Sequence, residues 1–230
     1  MLMEVRHNLF QTSLRSAGLT ALFLFGGLLL GFLAAFGLTG LPMHLPESAR
    51  VLVGFTSILA VVFAGGALWG RSIARLCNLD EPRRTIWAGA LSFGPAMLLA
   101  ALALGKLEGI LIEESRGPDL PVHVVFTILF VPAVFFITGI VGLALGFAQR
   151  DAGLAWRCAL GPGLAGSLAF LVVNLVMDQL GWRVGAPGAA YRATMLTVMM
   201  AGNLGAALAG GAVLGALLGV RTNLKSRGEL

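Results

Sequence analysis

Six stretches of this chain, at about 14–38, 51–76, 84–106, 122–148, 155–181 and 193–220, are each apolar for roughly the 20 residues that a helix needs to cross a hydrocarbon core about 30 Å thick. Short loops separate them and hold most of the charge. Only 12% of the residues are charged against 57% hydrophobic, and the mean hydropathy is +0.89. A soluble domain carries about twice that charged fraction. The pattern predicts an all-α integral membrane protein, with one transmembrane domain spanning 1–230 and short tails at 1–13 and 221–230. The apolar stretch from Ala17 to Leu38 is too long for the core of a signal peptide, about 7–15 residues, and reads as an uncleaved first span.

The net charge of +5 does not point to nucleic acid, because the basic residues punctuate the ends of apolar runs instead of forming one face. Their placement predicts orientation. With the N-terminus inside, Arg6, Arg15, Arg71, Arg75, Arg83, Arg84, Arg150, Arg157, Arg221, Lys225 and Arg227 fall on the cytoplasmic side. Only Arg50, Lys106, Arg116, Arg183 and Arg192 fall outside. This bias predicts cytoplasmic N- and C-termini in a bacterial inner membrane. Trp69, Trp87 and Trp156 lie near the expected ends on one side and Trp182 on the other, positions that suit an interfacial indole. Cys77 and Cys158, far apart in sequence and near helix ends, read as free thiols.

An internal repeat runs through the chain. Thr56, Thr127 and Thr197 recur at spacings of 71 and 70, each preceded by a proline, Pro46, Pro118 or Pro187. Arg15, Arg84 and Arg157 head the preceding helices, each followed by small residues. Three parallel-repeated hairpins are therefore expected, at 14–76, 84–148 and 155–220. Parallel repeats occur in transporters, with binding sites at their junction.

The stretch "GNLGAALAGGAVLGALLG", 202–219, is long enough to span a bilayer yet consists largely of Gly and Ala. In water each Gly would cost a helix about 1 kcal/mol relative to Ala. In lipid, helices gain little by burying leucine against one another, so small-residue ridges that let backbones touch drive association. Such ridges are Gly27, Gly31 and Ala35; Gly66, Gly70 and Ala74; Gly142 and Gly146; Gly161, Ala165 and Ala169; and Ala207, Gly211, Gly215 and Gly219. They predict a tightly packed bundle, and they leave open whether some face a partner subunit. Pro95, Pro132 and Pro162 are expected to kink their helices.

Polar residues inside spans are the candidate functional groups. Asn174 and Asp178 lie four apart on one helix face, Thr197 and Asn203 occupy helix 6, and His123 and Thr127 open helix 4. All six belong to the expected outer half. They could line an outward-facing polar pocket, with Asp178 and His123 as a cation-responsive pair, or the asparagines could act as interhelical hydrogen-bond glue. The acidic loop "KLEGILIEESRGPDLP" matches no calcium-loop spacing and reads as a solvated face. No catalytic, metal, dinucleotide or nucleotide motif is present, so neither an enzyme nor a cofactor is expected. Two functions remain. One is an accessory or scaffolding subunit packed against other membrane proteins or its own copies. The other is a small-solute or ion transporter, or its substrate-binding membrane component, with an outward-facing polar pocket.

Overall fold

The computed structural model describes residues 9–26, 47–93, 96, 122–182, 190–226 and 228. Every regular element among them is an α-helix: α1 (9–26), α2 (Glu47–Leu76), α3 (82–93), α4 (Val122–Ala148), α5 (Ala152–Gln179) and α6 (Ala190–Ser226). Four contain stretches long and apolar enough to cross a membrane: Leu59–Leu76, Phe130–Ala148, Ala152–Gln179 and Thr197–Lys225. Gly27, Gly31, Ala35, Pro46, Pro95, Pro118, Pro187 and the acidic loop fall outside the described residues.

The exterior is made of side chains that water would reject. Trp156, Leu160, Leu164, Leu168, Val172 and Val176 run along α5 as one exposed stripe, and Trp87, Leu91, Phe136 and Ile140 are exposed elsewhere. Contiguous exposure of large apolar groups on this scale marks a surface covered by something apolar. With four helices long and apolar enough to cross a membrane, a lipid bilayer is the environment that suits such a surface.

The helix ends follow local chemistry. α2 ends in a Schellman motif, with Leu79 N–H bonding Ala74 O and Asn78 N–H bonding Arg75 O, and Asn78 takes the left-handed conformation (φ 47°). α4 ends in the same way, with Arg150 at φ 56° and Asp151 N–H reaching Gly146 O. Asp151 then caps α5 by accepting from Leu154 N–H at 2.8 Å. Pro82 stands at the first position of α3, where its missing N–H costs nothing. The two turns and the C-terminal part of α6 come together, and this is the turn end of the bundle.

The described ridge glycines of α2, α4 and α6 face neighbouring helices. A Cβ added to Gly66 would lie 2.5 Å from Gly89 O, and one added to Gly70 would lie 2.5 Å from Thr85 O, so α2 and α3 touch backbone to backbone. Gly142 backs onto the Cys158 carbonyl and Gly146 onto Ala155, joining α4 to α5. On α6, Gly211 meets Thr20, Gly215 meets Ser16, and Gly219 meets Leu9 of α1. All three pairs are antiparallel, and they join helices across the expected repeat boundaries. The residues seated on Gly70, Gly142 and Gly215 are Thr85, Cys158 and Ser16. Each is fully buried, and each directly follows one of the exposed arginines Arg84, Arg157 and Arg15. A second face of α6 meets α5, with Gly202 against Phe170, Gly205 against Val173 and Gly210 against Pro162 O.

Between these pairs the core at the turn end is stacked in tiers. Ile73, Leu145 and Leu218 are completely buried in one cluster. One turn away from the turn end lie Trp69, Val141 and Leu214, also buried in it. Trp69 therefore does not occupy the interface that its sequence position suggests. It is 1% exposed, stacks on Phe93 with ring centroids 4.8 Å apart, and donates Nε1–H to Thr20 Oγ1 at 3.2 Å. Its one polar group found an internal acceptor, so its ring could be buried whole. Trp87, Trp156 and Trp182 are exposed, as an interfacial or lipid-facing indole requires.

Candidate functional site

The six sequence candidates divide by burial. Asn174 is 7% exposed, and its Nδ2 donates to Phe170 O at 2.7 Å. A Cβ on Gly202 would lie 3.0 Å from that nitrogen, so α6 crosses directly over the Asn174 side chain. Phe170 beneath it stacks on Phe130 of α4 at 6.1 Å, which joins three helices at this level. Asn203, beside Gly202, is half-buried, as are Asp178 and Thr127, whereas Thr197 is exposed. Thr127, Asp178 and Thr197 each have a polar or electrostatic partner. His123 lies in the first turn of α4, and its side chain is outside the described residues. Asn174 thus serves the contact between α5 and α6, and the remaining candidates spread over the same half of the bundle.

Other hydroxyls within the helices turn back on their own backbone. Thr20, Ser72, Ser92 and Thr138 each donate to the carbonyl four residues earlier, which keeps a polar group satisfied in an apolar setting. Ser167 instead reaches across to Val131 O on α4 at 3.1 Å, beside Pro132.

A second polar cluster, at the turn end, was not singled out from sequence. Arg221 of α6 is its centre. Its Nε donates to Asp151 Oδ2 at 3.4 Å, Nη1 to Gln149 Oε1 at 3.3 Å, and Nη2 to Gln149 O at 3.2 Å. Nη1 also lies 3.8 Å from Asp80 Oδ2. Gln149 is 4% exposed and passes its own Nε2–H to Thr85 Oγ1 at 2.8 Å, while Thr222 Oγ1 donates to Cys77 O at 2.8 Å. Around this centre, Lys225 binds Asp80 at 2.6 Å, and Glu81 faces Arg84 and Arg150 at 3.6 and 3.7 Å. Burial pushes the Cys77 thiol up to about 12, so it is unreactive where it sits. The signal that could have found this cluster is the recurrence of an acidic residue just after each turn, Asp80 and Asp151, with a basic helix end left over on α6.

The hydrogen bond from Lys225, helped by the Lys225 and Arg221 charges, holds the Asp80 carboxyl below its ordinary range. A lowered pKa means that the tie is complete above the ordinary carboxylate range and fades as the pH falls through the Asp80 value. Asp80 and Lys225 are both about half exposed, so Lys225→Ala is expected to cost less than about 1 kcal/mol at neutral pH. The melting temperatures of variant and parent should converge on acidification, and divergence would contradict the assignment.

Among the described residues no group of three or more His, Cys, Asp or Glu side chains is arranged to hold a metal ion. In comparisons with known proteins, no family model, no curated protein and no solved structure matches this chain.

Proposed function

We propose that this chain is a self-contained six-span transporter of a small solute or ion in a bacterial inner membrane. In this reading it is built from three repeats around an axis, with its turn end and both tails in the cytoplasm. The observation that carries this reading is the change in bulk along the core. At the turn end the facing positions of α2, α4 and α6 hold Ile73, Leu145 and Leu218, then Trp69, Val141 and Leu214. One turn further out the same register holds Gly65, Ile137 and Gly210, the last of these turned towards Pro162 of α5, and after that Val61, Ala133 and Ala206. Among the described residues, nothing lies within 4 Å of where a Gly65 Cβ would stand. A plug at one end that gives way to less bulk, in the half that also carries Asn174, Asp178 and Thr127, is what an outward-facing binding path requires. The register of Gly70, Gly142 and Gly215, at spacings of 72 and 73, supports the repeat.

The accessory-subunit reading loses its main support, because every described glycine of the proposed ridges on α2, α4 and α6 is consumed within the chain. It keeps one observation, the uninterrupted apolar stripe of α5, which could cover a neighbouring protein as readily as lipid.

The test is a thermal-stability screen of the purified protein against a panel of small solutes and ions, paired with native mass spectrometry. The transport reading expects at least one solute to raise the melting temperature. It also expects that shift to vanish in Asp178→Asn and Asn174→Leu, whose own folds should persist at a cost of about 0.6–2 kcal/mol for the buried amide. A constant protein partner with no stabilising solute would overturn it in favour of the accessory subunit.

A further inference from the structure

We propose that the α2–α3 hairpin is a gate that swings away from the other four helices, latched at its turn by Arg221 and Lys225 on Asp80. The inference rests on the transport reading and says where the closed end opens. Its basis is a difference in how the helices are joined. α4, α5, α6 and α1 are linked in series by backbone-to-backbone contacts at Gly142, Gly146, Gly210, Gly211 and Gly215. Such contacts are close-packed and have no alternative partner in lipid. Among the described residues, Gly66 and Gly70 of α2 and Gly89 of α3 seat one another across the hairpin. Towards the rest of the bundle the hairpin offers Trp69, Ile73, Cys77 and Leu79, with the Trp69 bond to Thr20, and, at its turn, a set of polar contacts.

Those turn contacts all cross from the hairpin to the remaining helices. Asp80 faces Arg221 and Lys225, Glu81 faces Arg150, Thr85 accepts from Gln149, and the Cys77 carbonyl accepts from Thr222. Ion pairs at a wet rim exchange readily for water, because solvent and salt replace most of what each supplies. The hairpin is thus held to the other helices by a rim of exchangeable ion pairs above a buried layer, made of the Gln149–Thr85 and Trp69–Thr20 bonds and the apolar tiers, which must part when it swings. Packed interfaces of this kind have discrete arrangements instead of deforming continuously.

The chain carries its own reporters. Cys77 sits at the hairpin turn and Cys158 on α5, both free and both buried in the cluster between the two units. The experiment measures labelling of the parent and of the Asp80→Asn/Glu81→Gln variant by a membrane-impermeant maleimide, in nanodiscs, with Cys77→Ser and Cys158→Ser assigning each site. The altered carboxylates are partly exposed, so the variant should fold, and its melting curve checks this. Opening of the hairpin predicts that both thiols label roughly tenfold faster in the variant, the equivalent of about 1.4 kcal/mol of open-state population. It also predicts that salt accelerates labelling of the parent but not of the variant. Faster labelling of Cys77 with Cys158 still protected means local fraying of the turn and overturns the gate. Equal rates in parent and variant overturn the latch. Neither result involves a solute, so the gate can fail while the transport reading stands, and the reverse.

Discussion

Gly142→Ala is expected to destabilise the protein by about 3 kcal/mol, the upper end of what overpacking a core costs. The added methyl group would sit on the carbonyl of Cys158, a backbone atom that cannot rotate away. Relief would require α4 and α5 to separate along a contact that also includes Gly146 on Ala155. In lipid the separated helices lose dispersion contacts without any apolar burial to offset the loss, since acyl chains already surround them. Gly18→Ala is the matched control. Gly18 is exposed, with no atom of the described residues within 4 Å of its added Cβ, so helix propensity dominates and a gain of up to about 1 kcal/mol is expected. Detergent-titrated unfolding followed by circular dichroism reads both. Equal effects would mean that the glycine stripes reflect composition and not contact.

The stripe on α4 could be read from spacing alone because a GxxxG row depends only on helical periodicity. Its partner could not. A ridge says which face of a helix is flat, but the neighbour it meets is chosen by how all the helices pack at once. That is why consecutive hairpins could be outlined while the contacts at Gly70, Gly142 and Gly215 run to the following helix, and in the last case back to α1. α6 carries two glycine families, Gly202/Gly210 and Gly211/Gly215/Gly219, and this doubling is the local sign that it is wedged between α5 and α1. The arginines at 15, 84 and 157 marked the right level. The residue that matters for packing is the one after each, Ser16, Thr85 or Cys158.

The candidate site was only partly legible, for a related reason. Asn174 and Asp178 share a helix face by their spacing, but burial depends on what crosses that face, and Gly202 does so at Asn174 alone. Arg221 and Gln149 were indistinguishable in sequence from ordinary flanking polar residues, and the recurrence of Asp80 and Asp151 after the turns was a faint signal beside them. Their significance comes from the meeting of two turns with the end of α6.

Trp69→Ala is expected to cost about 3–5 kcal/mol, in the range for deleting a large buried aromatic, although its sequence position resembles those of the exposed tryptophans. The indole touches three helices: it stands on α2, stacks on Phe93 of α3 at 17° between ring planes, and bonds Thr20 of α1. It also fills the tier it shares with Val141 and Leu214. Because a lipid-facing alternative exists for the ring, its value lies in contacts made and not in escape from water. The loss should therefore follow how much of the ring is removed. Trp69→Phe keeps the stacking partner and most of the volume and gives up the Nε1–H bond to Thr20, so about 1 kcal/mol is expected. In the parent, emission from Trp69 should resist both an aqueous and a lipid-borne quencher, whereas one or the other should reach Trp87, Trp156 and Trp182, all of which are about half or more exposed on the protein surface. A Phe variant as unstable as the Ala variant would place the energy in the hydrogen bond instead of the tier. The closed end of the core would then depend on one polar contact between α1 and α2, with the stacked apolar side chains filling space around it.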